Sequence, residues 1–238
     1  MAQIQISDFK IDVVRKSIKN MHLSVYPPKG RVRIAAPLNV DDETVKLFAI
    51  SKLSWIRRNQ RKFKNQERQT PREFAERESH YFQGRRYLLR VTEVEAAPKV
   101  EIKTKSFIDL HVRPNTTTEQ KQIILNEWYR KELKKQIPII IEKWEKIIGV
   151  NVNEWGVKQM KTKWGTCNIE ANRIWLNLEL AKKPLHCLEY IVVHEMIHLL
   201  ERHHNNLFLA YMDKFIPRWK FYKEELNRLP VSHEEWEY

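Results

Sequence analysis

No long hydrophobic run occurs in the sequence, so a membrane-spanning helix is not expected. Its apolar stretches, such as Ile139-Ile140-Ile141, fall far short of the ~20 residues a bilayer requires. Cysteine is nearly absent: Cys167 and Cys187 are too few for a disulfide framework, and they suit a reducing, cytoplasmic setting. The opening residues, Met1-Ala2-Gln3-Ile4-Gln5-Ile6, have no basic stretch followed by an apolar one, so no secretory signal is expected. Low-complexity tracts and internal repeats are also lacking. What remains is 238 residues with enough apolar side chains for a real core, in one domain or two closely packed ones. Acidic residues are the minority, 30 against 43 Lys and Arg, which leaves a net charge of +13. An excess of that size points to polyanionic partners: nucleic acid, nucleotides or an acidic surface.

The stretch that organises the chain is Val192 to Phe208, V-V-H-E-M-I-H-L-L-E-R-H-H-N-N-L-F. His194 and His198 are four residues apart, which on an α-helix puts both imidazoles on one face. Neutral imidazoles so placed can take two corners of a zinc tetrahedron. Glu195 sits about 100° round the same helix, beside the metal rather than on it. A carboxylate there can act as general base towards a water that the metal polarises. Leu188, Ile191, Val192, Val193, Met196, Ile197, Leu199 and Leu200 make this helix apolar. Ionisable groups inside it cost several kcal/mol unless something pairs them, and a cation would. A catalytic zinc needs a third protein ligand, and Glu201, His203 and His204 are the candidates. Arg202-His203-His204-Asn205-Asn206 favours an exit from the helix after about Glu201, with Asn205 or Asn206 capping the next one. That exit selects His204 and leaves His203 in the turn.

Here the sequence resembles the SprT/YgjP-like metal-dependent hydrolases, cousins of the Spartan-type proteases. Their pattern H-E-L-x-H, five residues, H-x-x-x-F falls on His194, Glu195, His198, His204 and Phe208. Met160 to Cys167, M-K-T-K-W-G-T-C, resembles that family's M-K-T-R-W-G-S-C. Asn177, Leu180 and Pro184 match its N-x-x-L and Pro, and Pro217 with Trp219 match its P-x-W tail. Lys163 for Arg and Thr166 for Ser are departures, and the first removes a guanidinium that a lysine does not replace. The resemblance implies a metallopeptidase carrying Zn2+.

Residues 3–36 alternate in short β-like runs with a turn at Pro27-Pro28-Lys29-Gly30, which reads as a small antiparallel sheet. A helix capped by Asp41 or Asp42 follows, with Val45, Leu47, Phe48, Ile50, Leu53, Trp55 and Ile56 on its apolar side. Residues 52–90 carry a marked basic excess interleaved with aromatics. Arg57, Arg58, Arg61 and Lys62 there are polyanion-binding candidates, against the alternative of a solvated helix face. Strands are expected at Tyr81-Phe82, 87–91, 100–103 and 107–112, then a helix over 116–148 that Pro138 kinks or divides. Two strands, 157–163 and 173–178, precede the metal helix, which Pro184 opens at its first position. Lys163 either faces substrate or is an exposed lysine. Tyr211 is either a transition-state donor or a packing tyrosine, and Cys167 reads as a small buried hydrophobe.

The expected fold class is α+β. A basic N-terminal portion, 1–115, is antiparallel and β-rich with helices. A zincin-like catalytic portion, 116–238, holds the HExxH helix and a small antiparallel sheet, and the two may be continuous as one domain. The expected function is zinc-dependent hydrolysis of a peptide or protein substrate, with His194, His198 and His204 on the metal and Glu195 as base. A nucleotide phosphohydrolase on the same metal site is the alternative, since the cations suit a triphosphate. A nucleic-acid-associated protein with a structural zinc is the third reading.

Overall fold

The computed structural model describes residues 2–6, 9–26, 30–65, 72–160 and 163–228. Turn residues 27–29, part of the basic stretch (66–71), Lys161-Thr162 of the M-K-T-K motif and the tail from residue 229 lie outside them. Among the described residues, six α-helices and three small sheets give a mixed α+β chain, divided into two compact units, Met1–Arg68 and Gln69–Ser232. Among the described residues no helix is long and apolar enough to cross a membrane.

The first unit is a four-stranded sheet, β1 (Ala2–Ile6), β2 (Phe9–Lys16), β3 (His22–Tyr26) and β4 (Arg31–Pro37), in the order β1-β2-β4-β3. The period-2 pattern puts Ile4, Ile11, Val13, Val32 and Ile34 into one core, with Ile4 opposite Ile11 and Val13 beside Ile34. On the other face Gln3 and Arg31 both donate to the buried Asp12 carboxylate, at 2.8 and 2.5 Å. The sheet is mixed rather than antiparallel, because β2 and β4 pair in parallel. Local alternation fixes which face is buried but not the direction of a non-neighbouring partner.

The expected single helix is two, α1 (Asp42–Ser51) and α2 (Leu53–Asn65), broken at Lys52. Asp41 caps the first through Thr44 N–H at 2.6 Å. The break corrects the expected apolar side: Val45, Ala49 and Ile56 are buried, whereas Leu47, Ile50 and Trp55 are exposed. From Val45 the helical period reaches Ala49, and Leu47 falls about 200° away. Arg57, Arg58 and Arg61 are exposed on α2, with the Arg57 guanidinium 5.6 Å from the Phe9 ring centre; the Lys62 side chain lies outside the described part.

The second unit opens with β5 (Ser79–Phe82), β6 (Arg85–Glu93), β7 (Lys99–Glu101) and β8 (Phe107–Val112), in the order β5-β6-β8-β7. Against it packs α3 (Thr118–Ile148), started by a capping box between Thr117 and Gln120. α3 passes through Pro138 as one helix, so the expected division does not occur. Its stripe Leu125, Tyr129, Leu133, Ile137, Ile141 and Trp144 is buried, and that burial outweighs one lost backbone hydrogen bond. Because α3 shares a core with Leu89, Ile108 and Leu110, the boundary expected between residues 115 and 116 falls inside this unit.

A third sheet, β9 (Glu154–Lys158), β10 (Gly165–Asn168) and β11 (Arg173–Asn177), has the order β10-β11-β9. The sequence suggested one strand over 157–163; instead β9 ends at Lys158 and runs parallel to β11, while β10 makes the antiparallel hairpin. A 3-10 turn, Leu178–Lys182, leads into α4 (Leu185–Ile197), with Pro184 as its N-cap rather than its first residue. Then come α5 (Asn206–Phe215) and α6 (Trp219–Arg228).

The β5–β6 turn supports the start of α4. Gln83 and Gly84 both have positive φ, and their N–H groups donate to the carbonyls of Ala181 and Lys182 at 2.9 and 3.1 Å. Gly84 lies so close to Pro184 that an added Cβ would stand 2.6 Å from Pro184 Cγ. Gly84→Ala therefore should cost more than the roughly 1 kcal/mol of its left-handed backbone alone. The measurement is a urea midpoint, expected to fall with an unchanged slope.

Candidate metal centre

α4 is the most buried helix of its unit. Leu188, Ile191, Val192, Val193, Met196 and Ile197 are all buried, and so is Glu195. Apolar residues all round a helix leave no water to solvate what it carries, so its ionisable groups must be neutral or paired. Burial, then the neighbouring His198 and His204, push His194 down to about 3. His204 is lowered too, again first by burial. Both imidazoles therefore keep free lone pairs at neutral pH, as metal ligation requires.

The third histidine arrives by a turn. α4 ends at Ile197, with His198 as its C-cap, about three residues before the exit expected near Glu201. Backbone bonds from Leu200 and Glu201 to Ile197 O tighten the chain, and the Glu201 carboxylate accepts the His203 N–H at 2.9 Å. Asn205 in extended conformation then caps α5 through Phe208 N–H at 3.0 Å. His203 is thereby left exposed in the turn and His204 is returned to α4.

The donor nitrogens of His194, His198 and His204 lie within 4.8 Å of one another, and His194 Nε2 meets His204 Nε2 at 3.0 Å. His198 donates Nδ1–H to the Glu201 carbonyl at 3.0 Å, which leaves its Nε2 lone pair free. Phe208, fully buried, lies under all three rings with centroids 4.7 to 5.0 Å away. Tetrahedral zinc at about 2.0–2.1 Å from each nitrogen would separate the nitrogens by about 3.3 Å. The three side chains fit such an ion. No thiol is among them, and Cys167 and Cys187 are both free.

Glu195 is set against β10. A Cβ on Gly165 would stand 2.6 Å from Glu195 Oε1, so only glycine lets the strand lie this close to the carboxylate. Burial pushes the Glu195 carboxyl up to about 8, against a smaller downward pull from the exposed Lys163. Half-buried Cys167 is raised to about 11 by burial and by Glu195. Asn177 holds the approach to β10: its Nδ2 donates to the carbonyls of Met160 and Lys163, both at 2.8 Å, and its backbone N–H to Trp164 O at 2.9 Å. Tyr211 is half-buried and stacks on Phe215, ring centres 6.1 Å apart.

Sequence reasoning did not find the close approach at Gly165, the strap made by Asn177, or two further neighbours. Tyr190, buried one turn before His194, meets its ring edge-on at 5.9 Å, and Lys223 of α6 adds a smaller downward push on His194 and His204. Tyr190 had a signal, its i−4 spacing from His194. Lys223 had none.

The raised Glu195 carboxyl has a consequence for stability in metal-free protein. Between the usual 4.5 and about 8 the folded carboxyl keeps a proton that the unfolded one has lost, so stability falls as pH rises. His194 and His80, lowered to about 3 and about 4, act in the opposite sense, and their contribution is complete above 6.5. Lys183, held down to about 8 by burial, acts above that value. From pH 6.5 to 8 the Glu195 effect is thus isolated. Urea midpoints of metal-free wild type should fall across that window and those of Glu195→Gln should not.

No curated protein matches the sequence. The crystal structure of the metallopeptidase zymogen of Pyrococcus abyssi abylysin is similar over 40% of this chain and 99% of its own, with 20% identity and a TM-score of 0.36. The family model described as YgjP-like, metallopeptidase domain, matches residues 19–229, which take in all three histidines, Glu195, Gly165 and Asn177. By that match the chain belongs to the YgjP-like metallopeptidase family.

Proposed function

We propose that the protein is a zinc-dependent peptidase in which His194, His198 and His204 hold the ion and Glu195 is the general base. The observation that carries this reading is the convergence of three imidazole nitrogens beside a buried carboxylate, itself pressed against a sheet edge. Zinc held there would act as a Lewis acid and lower the pKa of a water towards about 7. Glu195 would take the proton of the attacking water and return it to the leaving amine. Burial holds its proton in metal-free protein, and the charge of a bound cation would draw the carboxyl back to the ionised form that accepts the proton. The His198 bond to Glu201 O and the Phe208 floor fix ring orientation.

The substrate strand has a natural place. β10 ends its sheet, pairing with β11 on one side, so its other edge offers N–H and C=O groups to an extended peptide. Gly165 on that strand is the residue in contact with Glu195, so a peptide paired there would pass the carboxylate. The charge of the exposed Lys163 is felt at Glu195, which supports it as a donor to a developing oxyanion, with Tyr211 as a second donor candidate. Phosphoryl transfer has no observation of its own at this site.

Two variants test the reading on an unfolded protein substrate. Glu195→Gln should keep one zinc at the triad and lose about 10²–10⁴-fold in rate. Gly165→Ala leaves every proposed ligand intact but forces the carboxylate aside, and should cost on the order of 10²-fold. Full activity in Glu195→Gln, with zinc bound, would exclude it as the base.

A further inference from the structure

The first turn of α4 holds a second group of donor side chains, two turns before His194. His186 and Cys187 meet Glu225 of α6 there. His186 Nε2 is hydrogen-bonded to Glu225 Oε2, and Cys187 Sγ lies 4.0 Å from the same oxygen. The three donor atoms all lie within 4.8 Å of one another.

Zinc bound by one imidazole and one carboxylate at about 2.0–2.2 Å and one thiolate at about 2.3 Å would space its donors by about 3.3–3.6 Å. Sulfur and the Glu225 oxygen, 4.0 Å apart, would close by roughly 0.4 Å, while the hydrogen-bonded His186–Glu225 pair would open to admit the ion. The donor set is selective. A soft thiolate with an imidazole suits zinc or cobalt, whereas magnesium and calcium call for shells of oxygen. Access and enclosure both fit: His186 and Glu225 are partly exposed, so an ion can enter from solvent, and Cys187 behind them is fully buried. Tyr222 packs against the His186 ring at 5.0 Å and fixes its direction.

We propose that His186, Cys187 and Glu225 form a second zinc-class metal site, separate from the histidine triad, that fastens α6 to the first turn of α4. An ion here would join two helices whose cysteine and carboxylate are 38 residues apart, and so would stabilise the C-terminal part of the fold. The site stands independently of the peptidase reading, since none of its donors belongs to the triad.

Cobalt separates the two sites, because only a sulfur ligand gives a thiolate-to-cobalt charge-transfer band. Metal-free full-length protein titrated with Co2+ should bind two equivalents, one of which develops that band in the near ultraviolet. Cys167→Ser and His194→Ala should keep the band and Cys187→Ser should lose it. As Cys187 is fully buried, Glu225→Gln provides the second reading: this partly exposed change should weaken the cobalt affinity read from the band at least tenfold. The proposal is overturned by absence of the band at excess cobalt, by its loss in Cys167→Ser, or by unchanged affinity in Glu225→Gln. Failure at the triad instead would appear as one equivalent that carries the band.

Discussion

Desolvation of α4 is the constraint on which the rest of the site depends. The inner face of this largely buried helix carries half-buried His194 and fully buried Glu195, and little water is left to stabilise their charged forms. The response is visible in direction: His194 is pushed down and Glu195 up, so both are held neutral. Neutral imidazoles are ligands without further change. In the proposed mechanism, a neutral glutamic acid next to them would become a base only once a cation restored its charge. The same burial that makes these residues costly in metal-free protein makes them suited to a bound ion.

The surrounding pieces then read as supports for this helix. Gln83 and Gly84 hold the turn before it, Asn177 holds the chain that delivers β10 to Glu195, and Asn205 ends the loop that returns His204. Phe208 fills the space under the three rings. Each support is a short-range device, a cap, a turn or a ring contact. Together they set the positions of groups that lie far apart in sequence.

That division explains what could be read beforehand. Period 3.6 and the spacing of His194 and His198 are local, and Arg202 to Asn206 carries its own turn chemistry, so the grouping of His194, His198 and His204 was legible from residue types alone. α5 and its Asn205 cap were legible for the same reason. Parallel pairing of β9 with β11 and of β2 with β4 was not, because a strand's alternation says nothing about its partner's direction. Nor was the break at Lys52, which let Leu47 and Trp55 face solvent. Gly165 stood in a recognisable motif, yet its reason, the carboxylate of a residue 30 positions later, exists only in three dimensions. The grouping of His186 and Cys187 with Glu225 was hidden by the same kind of separation.

The proposed metal centre is made of three imidazoles and no sulfur. X-ray absorption at the zinc edge, on Cys187→Ser protein loaded with one equivalent, addresses it directly. Three imidazole nitrogens and one oxygen at about 2.0–2.1 Å are the predicted shell. A sulfur scatterer at about 2.3 Å, or fewer than three imidazoles, would contradict it.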